Sequence, residues 1–311
     1  MNVFLHIGAH RCATTTFQDY LRQNDSRLGL QGIGFWGPLR TRKGLFSGIV
    51  PTPGVSFGRD KQRRAAGRVQ LQLTRAAGLG VDQLIISDEN AMGSVRANLR
   101  MGELYCGVGE RLARFNQAFG GRITDLAISI RSLDLYWTSA LGFALARGRK
   151  FPSESELDRL VRGQRSWRDV ITDAACAMPD VRLHVLPFET FAGRPDAQLQ
   201  ALIQQSTPRT HARIWHNATP RLPQLRDLVG PGIARKLPEG EGRWQPFTWM
   251  QQAALRETYA DDMMWLTAGA DGLARLARDP DEKMAGLNPS TTELTRGRPY
   301  DDEDRRLAGT G

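Results

Sequence analysis

Cysteine, histidine and long apolar runs are all scarce in this chain, and each shortage removes a class of protein. Cys12, Cys106 and Cys176 are the only cysteines in 311 residues. They have neither paired spacing nor even number, which argues against a disulfide framework and a zinc site. The histidines His6, His10, His184, His211 and His216 do not assemble into a ligand set, so no metal is expected. No uninterrupted apolar stretch is long enough to cross a bilayer, so no membrane span is expected. The first strand begins at residue 2 with no basic n-region or small-residue cleavage site before it, which reads as an unsecreted, cytoplasmic protein. Acidic residues are outnumbered, 33 against 42 Lys and Arg, giving a net charge of +9 that fits an anionic ligand. The basic residues are dispersed and no nucleic-acid motif accompanies them, so no nucleic-acid partner is expected.

What is present is informative from the first residues. Residues 3–7 have the apolar, β-branched character of a central strand covered on both faces. Gly8, Ala9, His10, Arg11, Cys12, Ala13, Thr14 and Thr15 follow as a small-residue turn, a cation and a threonine cluster. A helix is expected from Thr14, with Phe17, Tyr20 and Leu21 inward. Its first-turn amides then point back at the loop, a site suited to phosphate. Arg11 adds a forked cationic donor, and the hydroxyls of Thr14 and Thr15 are donors to phosphate oxygens. The lysine of a Gly-x-x-x-x-Gly-Lys-Thr/Ser loop is missing, which disfavours an ordinary ATPase.

Further along, a short strand ending in a turn is expected over 30–38, followed by a long basic loop over 37–58 that would cover a substrate. Helices are expected over 62–77 and 105–119, and strands over 83–87, 125–130 and 181–186. Asp88 and Glu89 follow one strand exit and Arg131 another, where ligands of open parallel sheets gather. Ser139 lies eight positions after Arg131 on a helix running towards Arg147. The stretch 148–167 reads as a lid or mobile helix. Helices are expected over 247–266 and near 272–278 after a proline-punctuated region. The alternation of strand and helix predicts an α/β fold, a central parallel sheet flanked by helices. The domain reading is one α/β unit over 1–287, helix-rich from about 206, with a polar tail over 288–311.

Three of these segments resemble the PAPS-dependent sulfotransferase family, in particular bacterial sulfotransferase-like proteins (PAPS is 3′-phosphoadenosine 5′-phosphosulfate). Residues 8–15 resemble its 5′-phosphosulfate loop, with Arg11 where the family commonly has lysine and Ala13 where it has glycine. Arg131 and Ser139 resemble its 3′-phosphate motif, and residues 86–89 its hydrophobic-Ser-x-Glu segment. The match covers roughly residues 2–205; Arg243 falls near the place of the late cofactor-binding loop. The resemblance implies a P-loop-containing nucleotide-binding fold. It implies sulfuryl transfer from PAPS to a hydroxyl or amine of a small-molecule, carbohydrate or lipid acceptor, with adenosine 3′,5′-bisphosphate as product and no catalytic metal. It implies catalytic roles for Arg11, Glu89 and His10, with Asp88 the alternate base. The cofactor would be held by Gly8, Ala9, His10, Arg11, Cys12, Ala13, Thr14, Thr15, Arg131, Ser139 and Arg243. The alternative is a catalytically impaired nucleotide-binding or protein-interaction module on the same scaffold; either form has room for a homo-oligomer.

Overall fold

Strict alternation along the first strand divides the protein into two layers. In β1 (Asn2–Gly8) Val3, Leu5 and Ile7 enter one apolar cluster and Phe4 the opposite one, as a period of two residues requires. The computed structural model describes residues 1–50 and 59–281. Met1–Asp279 form one compact unit; of the second, residues 280–311, only Pro280 and Asp281 are described. The expected boundary near 287 and the tail over 288–311 lie outside the described residues.

The sheet continues through β2 (Ile33–Trp36), β3 (Gln83–Ser87), β4 (Asp125–Ile130), β5 (Arg182–Pro187) and β6 (Arg275–Leu276). All pairs are parallel, in the order β2-β3-β1-β4-β5-β6. Because β3 and β4 flank β1, the chain crosses β1 between them and opens a crevice at the carboxyl ends of these strands. Every residue of β4 is buried, as expected of a strand covered on both faces.

One face is covered by the helices Arg59–Gly78, Val108–Phe119, Leu133–Leu145 and Trp167–Ala177. The other face takes α1 (Thr14–Gln23) and the Pro195–Ile203 helix. Phe17, Tyr20 and Leu21 of α1 are buried as the spacing predicts, each worth about 1.5–3 kcal/mol. His6, on the same side of β1, is fully buried against Phe17 and lies 2.8 Å from Ser87 Oγ. Burial pushes its pKa down to about 4.

Three sequence expectations change. Residues 272–278 are not a helix: Arg275 and Leu276 pair with His184 and Val185 as an edge strand, too short to show a period. The stretch 148–167 carries a packed helix, Glu154–Val161, opened by a Ser153/Glu156 capping box, and ends on the fully buried Trp167. The first part of the expected 37–58 loop folds into the helical turns Pro38–Arg40 and Thr41–Leu45, burying Thr41, Leu45 and Ile49. Residues 51–58 lie outside the described residues.

Candidate functional site

The carboxyl ends of β1, β3, β4 and β5 converge on one cavity of about 650 Å³. The loop after β1 reaches it through a strained path. Gly8 has φ 68°, and a Cβ there would lie 2.6 Å from Thr14 Oγ1, so glycine is required. Arg11 and Ala13 also take positive φ, 66° and 58°. Ala13 therefore adopts the left-handed turn that glycine would take at lower cost; the methyl does not forbid it. The buried carbonyl of Ala9 accepts from Cys12 N at 3.3 Å and from Thr14 Oγ1 at 3.0 Å. The hydroxyl proton of Thr14 is thus held inside the loop, in place of the expected donation to a ligand. Cys12 is buried beneath the loop, where desolvation pushes its thiol up to about 12, so it is an inert packing residue.

Arg11 and Arg131 are brought together from opposite sides of the loop. Arg131 Nη1 donates to Arg11 O at 3.0 Å, and its guanidinium lies over Phe188 at 4.1 Å. Although Arg131 is 5% exposed, its Nε has no hydrogen-bond partner among the described residues. Such a group is expensive to bury unless something completes it. Arg11 Nε donates to Ser139 Oγ at 2.9 Å, while Nη2 donates to Asn217 O and Thr219 Oγ1. Burial and the charges of Arg131 and Arg147 hold its pKa down to about 10, still cationic at neutral pH. Ser139 turns to Arg11 and to Thr219 Oγ1 at 2.7 Å and does not line the cavity, whereas Arg131, Arg147 and Arg243 do. The arginine and serine therefore meet at Arg11, one on its carbonyl and one on its side chain.

The acidic segment divides its tasks. Asp88 accepts from Thr41 Oγ1, Arg42 and the Asn90 amide and lies outside the main cavity, so it anchors the turn and is not the alternate base. Glu89 lines the cavity, with Oε1 2.9 Å from Arg42 Nη2 and Oε2 accepting from Gln18 Nε2 at 2.9 Å. Burial pushes its pKa up, but the Arg42 charge and these hydrogen bonds outweigh it and leave the carboxylate below its ordinary range. His10 also lines the cavity, between Tyr105 and Asn90.

Several participants were not singled out from the sequence. Gln18 and Arg42 hold Glu89; Arg147 stacks on Phe143 at 3.5 Å, with Arg11 4.9 Å from the same ring. Residues 215–219 lie across the start of α1: His216 N donates to Thr16 Oγ1, and Asn217 Nδ2 to Thr15 Oγ1, both at 3.0 Å. Only the runs of basic residues hinted at Arg42 and Arg147; nothing local marked 215–219. A second cavity of about 380 Å³ shares Thr15, Gln18 and Pro38 with the first and is walled by Phe35 and Leu39. Among the described residues no metal-binding cluster forms, and no helix is long and apolar enough to cross a membrane.

No family model matches the chain, and no curated protein does. Among solved structures, it is similar to a sulfotransferase from Alicyclobacillus acidocaldarius with a TM-score of 0.39 and 16% identity, over 83% of this chain and 96% of that one. That overlap is too loose to carry residue roles, so the chemistry rests on the cavity's own atoms.

Proposed function

We propose that the cavity binds a nucleotide carrying phosphate at both its 3′ and 5′ positions, and that the protein transfers a sulfuryl group from PAPS to a hydroxyl or amine acceptor. The observation that carries this reading is the buried Arg131, its Nε without a partner among the described residues, beside the first-turn amides of α1 in a cationic cavity of nucleotide size. Those amides have no intrahelical partners and suit the 5′ anion. Arg131, with Arg243 and Arg147 on the same wall, suits the second phosphate. PAPS, when bound, supplies the sulfuryl group and a phosphate leaving group. Arg11 and the α1 amides would hold its 5′ end and stabilise the negative charge of the leaving phosphate. Glu89 takes the acceptor proton as the new bond to sulfur forms, its ionised state maintained by Arg42 and Gln18. The adjoining cavity walled by Phe35 and Leu39 gives a small-molecule, carbohydrate or lipid acceptor room next to Gln18.

A second reading, nucleotide binding without transfer, draws on the engagement of Arg11 by Ser139, Asn217 and Thr219. Thermal unfolding with adenosine 3′,5′-bisphosphate, ADP and ATP tests both. Selective stabilisation by the bisphosphate, about 2.7 kcal/mol at a hundredfold excess over Kd, is expected. No selective shift would sink the nucleotide site. Binding without release of labelled sulfuryl groups to any acceptor would favour the second reading.

A further inference from the structure

The two ring nitrogens of His10 face different surroundings. Nδ1 lies 3.0 Å from Tyr105 Oη, the same oxygen that accepts the backbone N–H of His10 at 3.0 Å. Nε2 lies 3.3 Å from Asn90 Oδ1, and the residue lines the cavity. Which nitrogen carries the proton follows from a chain of hydrogen bonds that begins at a backbone N–H. The backbone N–H of Tyr105 donates to Asn98 Oδ1 at 3.1 Å, which fixes the orientation of that amide. Asn98 Nδ2 must then donate to Tyr136 Oη, at 2.8 Å. The Tyr136 proton goes on to Tyr105 Oη at 3.2 Å. Tyr105 Oη now accepts from Tyr136 and from the His10 amide, so its own proton is directed to Nδ1. Nδ1 therefore carries the lone pair, and the neutral ring holds its proton on Nε2, matching the Asn90 acceptor.

We propose that His10 is a neutral hydrogen-bond donor whose Nε2–H exchanges Asn90 Oδ1 for an oxygen of the phosphate or sulfuryl group at the loop, and that Tyr105 is the positioning residue that sets this tautomer. The nature of that anion rests on the function proposed above; the tautomer does not. Nε2 is already protonated and the Nδ1 lone pair is taken by the Tyr105 hydroxyl, so this state of the ring excludes His10 as the acceptor's base and leaves that task to Glu89. Burial holds the imidazole pKa below its ordinary value against the charges facing it, Glu89 and Asp88 raising it and Arg42 lowering it. Burial also pushes the Tyr105 and Tyr136 phenols up, keeping both protonated. Tyr105 has a φ of 41°, a strained backbone for a bulky residue, and its hydroxyl lies 3.0 Å from both the amide and Nδ1 of His10.

Long-range ¹H–¹⁵N spectra of the full chain with ¹⁵N-labelled histidine, His10 being assigned by its loss in His10→Gln, test this directly. Expected at neutral pH is the Nε2–H tautomer, with a shift at Nε2 when adenosine 3′,5′-bisphosphate is added. In Tyr105→Phe an Nδ1–H population should appear. His10→Gln, whose amide nitrogen overlays Nε2, should bind the bisphosphate several-fold more tightly than His10→Ala. An Nδ1–H ring or an imidazolium in the parent protein would overturn the proposal whether or not the phenylalanine variant folds, as would equal affinities of the Gln and Ala variants. Inorganic phosphate forms a separate arm. An Nε2 response to phosphate but not to the bisphosphate would defeat the nucleotide reading and leave the donor role standing; a response to neither would defeat the donor role.

Discussion

The two ends of β4 hold buried charge in opposite ways. At its start, Asp125 accepts two hydrogen bonds from Arg182, at 2.9 and 2.8 Å, and lies 2.7 Å from His184 Nε2. Just past its end, Arg131 bonds Arg11 O, rests on Phe188 and leaves Nε without a partner among the described residues. The first arrangement is closed, every charge answered within the protein. The second is incomplete, and a buried cation left short of partners marks where an anion from outside is worth most. Between the two ends lies His6, neutral and buried in the middle of the sheet.

The sharpest way to break this comparison is at Arg131. Arg131→Met should weaken adenosine 3′,5′-bisphosphate binding roughly hundredfold, about 3 kcal/mol, measured by calorimetry, because a charge-assisted contact is lost. The stability of the free protein should stay within about 1 kcal/mol of the parent, since no complete ion pair is removed. A large loss of stability with unchanged affinity would make Arg131 a structural residue like Asp125.

His6 comes next. Its pKa of about 4 in the folded protein lies below the ordinary 6.5, so the unfolded chain binds the proton first as pH falls. Stability should be full above pH 6.5 and decline by about 3 kcal/mol on the way to pH 4, a slope that His6→Gln should remove from a series of urea unfolding curves.

At the closed end the slope has the same sign but falls at lower pH. Burial pushes the Asp125 carboxyl up, but the bonds from His184, Arg182 and Thr124 outweigh it and bring its pKa down to about 2. Its contribution is present above pH 3.8 and is lost as pH falls through about 2. Asp125→Asn should cost about 2 kcal/mol at neutral pH, flatten the acid limb below pH 4 and leave nucleotide affinity unchanged.

The smallest effect is expected in the loop that joins the comparison to the site. Ala13→Gly relieves a left-handed alanine while loosening the unfolded chain, for a net gain of about 0.5–1 kcal/mol in urea unfolding. A loss would mean that the methyl packs usefully and that the turn is not strained.

Much of the scaffold was legible because it is written in short-range periodicity. The apolar runs that became β1, β3, β4 and β5, and the inward residues of α1, need only their neighbours to declare themselves. The glycine at position 8 likewise signalled a turn from its own chemistry. The two-residue β6 carried no periodic signal, and the Glu154–Val161 helix, whose polar residues read as a lid, was fixed by its cap and by packing.

The sequence by itself determined a parallel α/β scaffold, a small-residue turn before a helix, and the placing of Arg131 and Glu89 at strand exits. Only the tertiary structure decided that Ser139 serves Arg11, that Asp88 turns away while Glu89 faces the cavity, that residues 215–219 close over α1, and that the Tyr105 hydroxyl meets His10. The physical reason is range. A strand or a turn follows from side chains a few positions apart, whereas a hydrogen bond from Arg11 to Asn217 depends on how every intervening element packs.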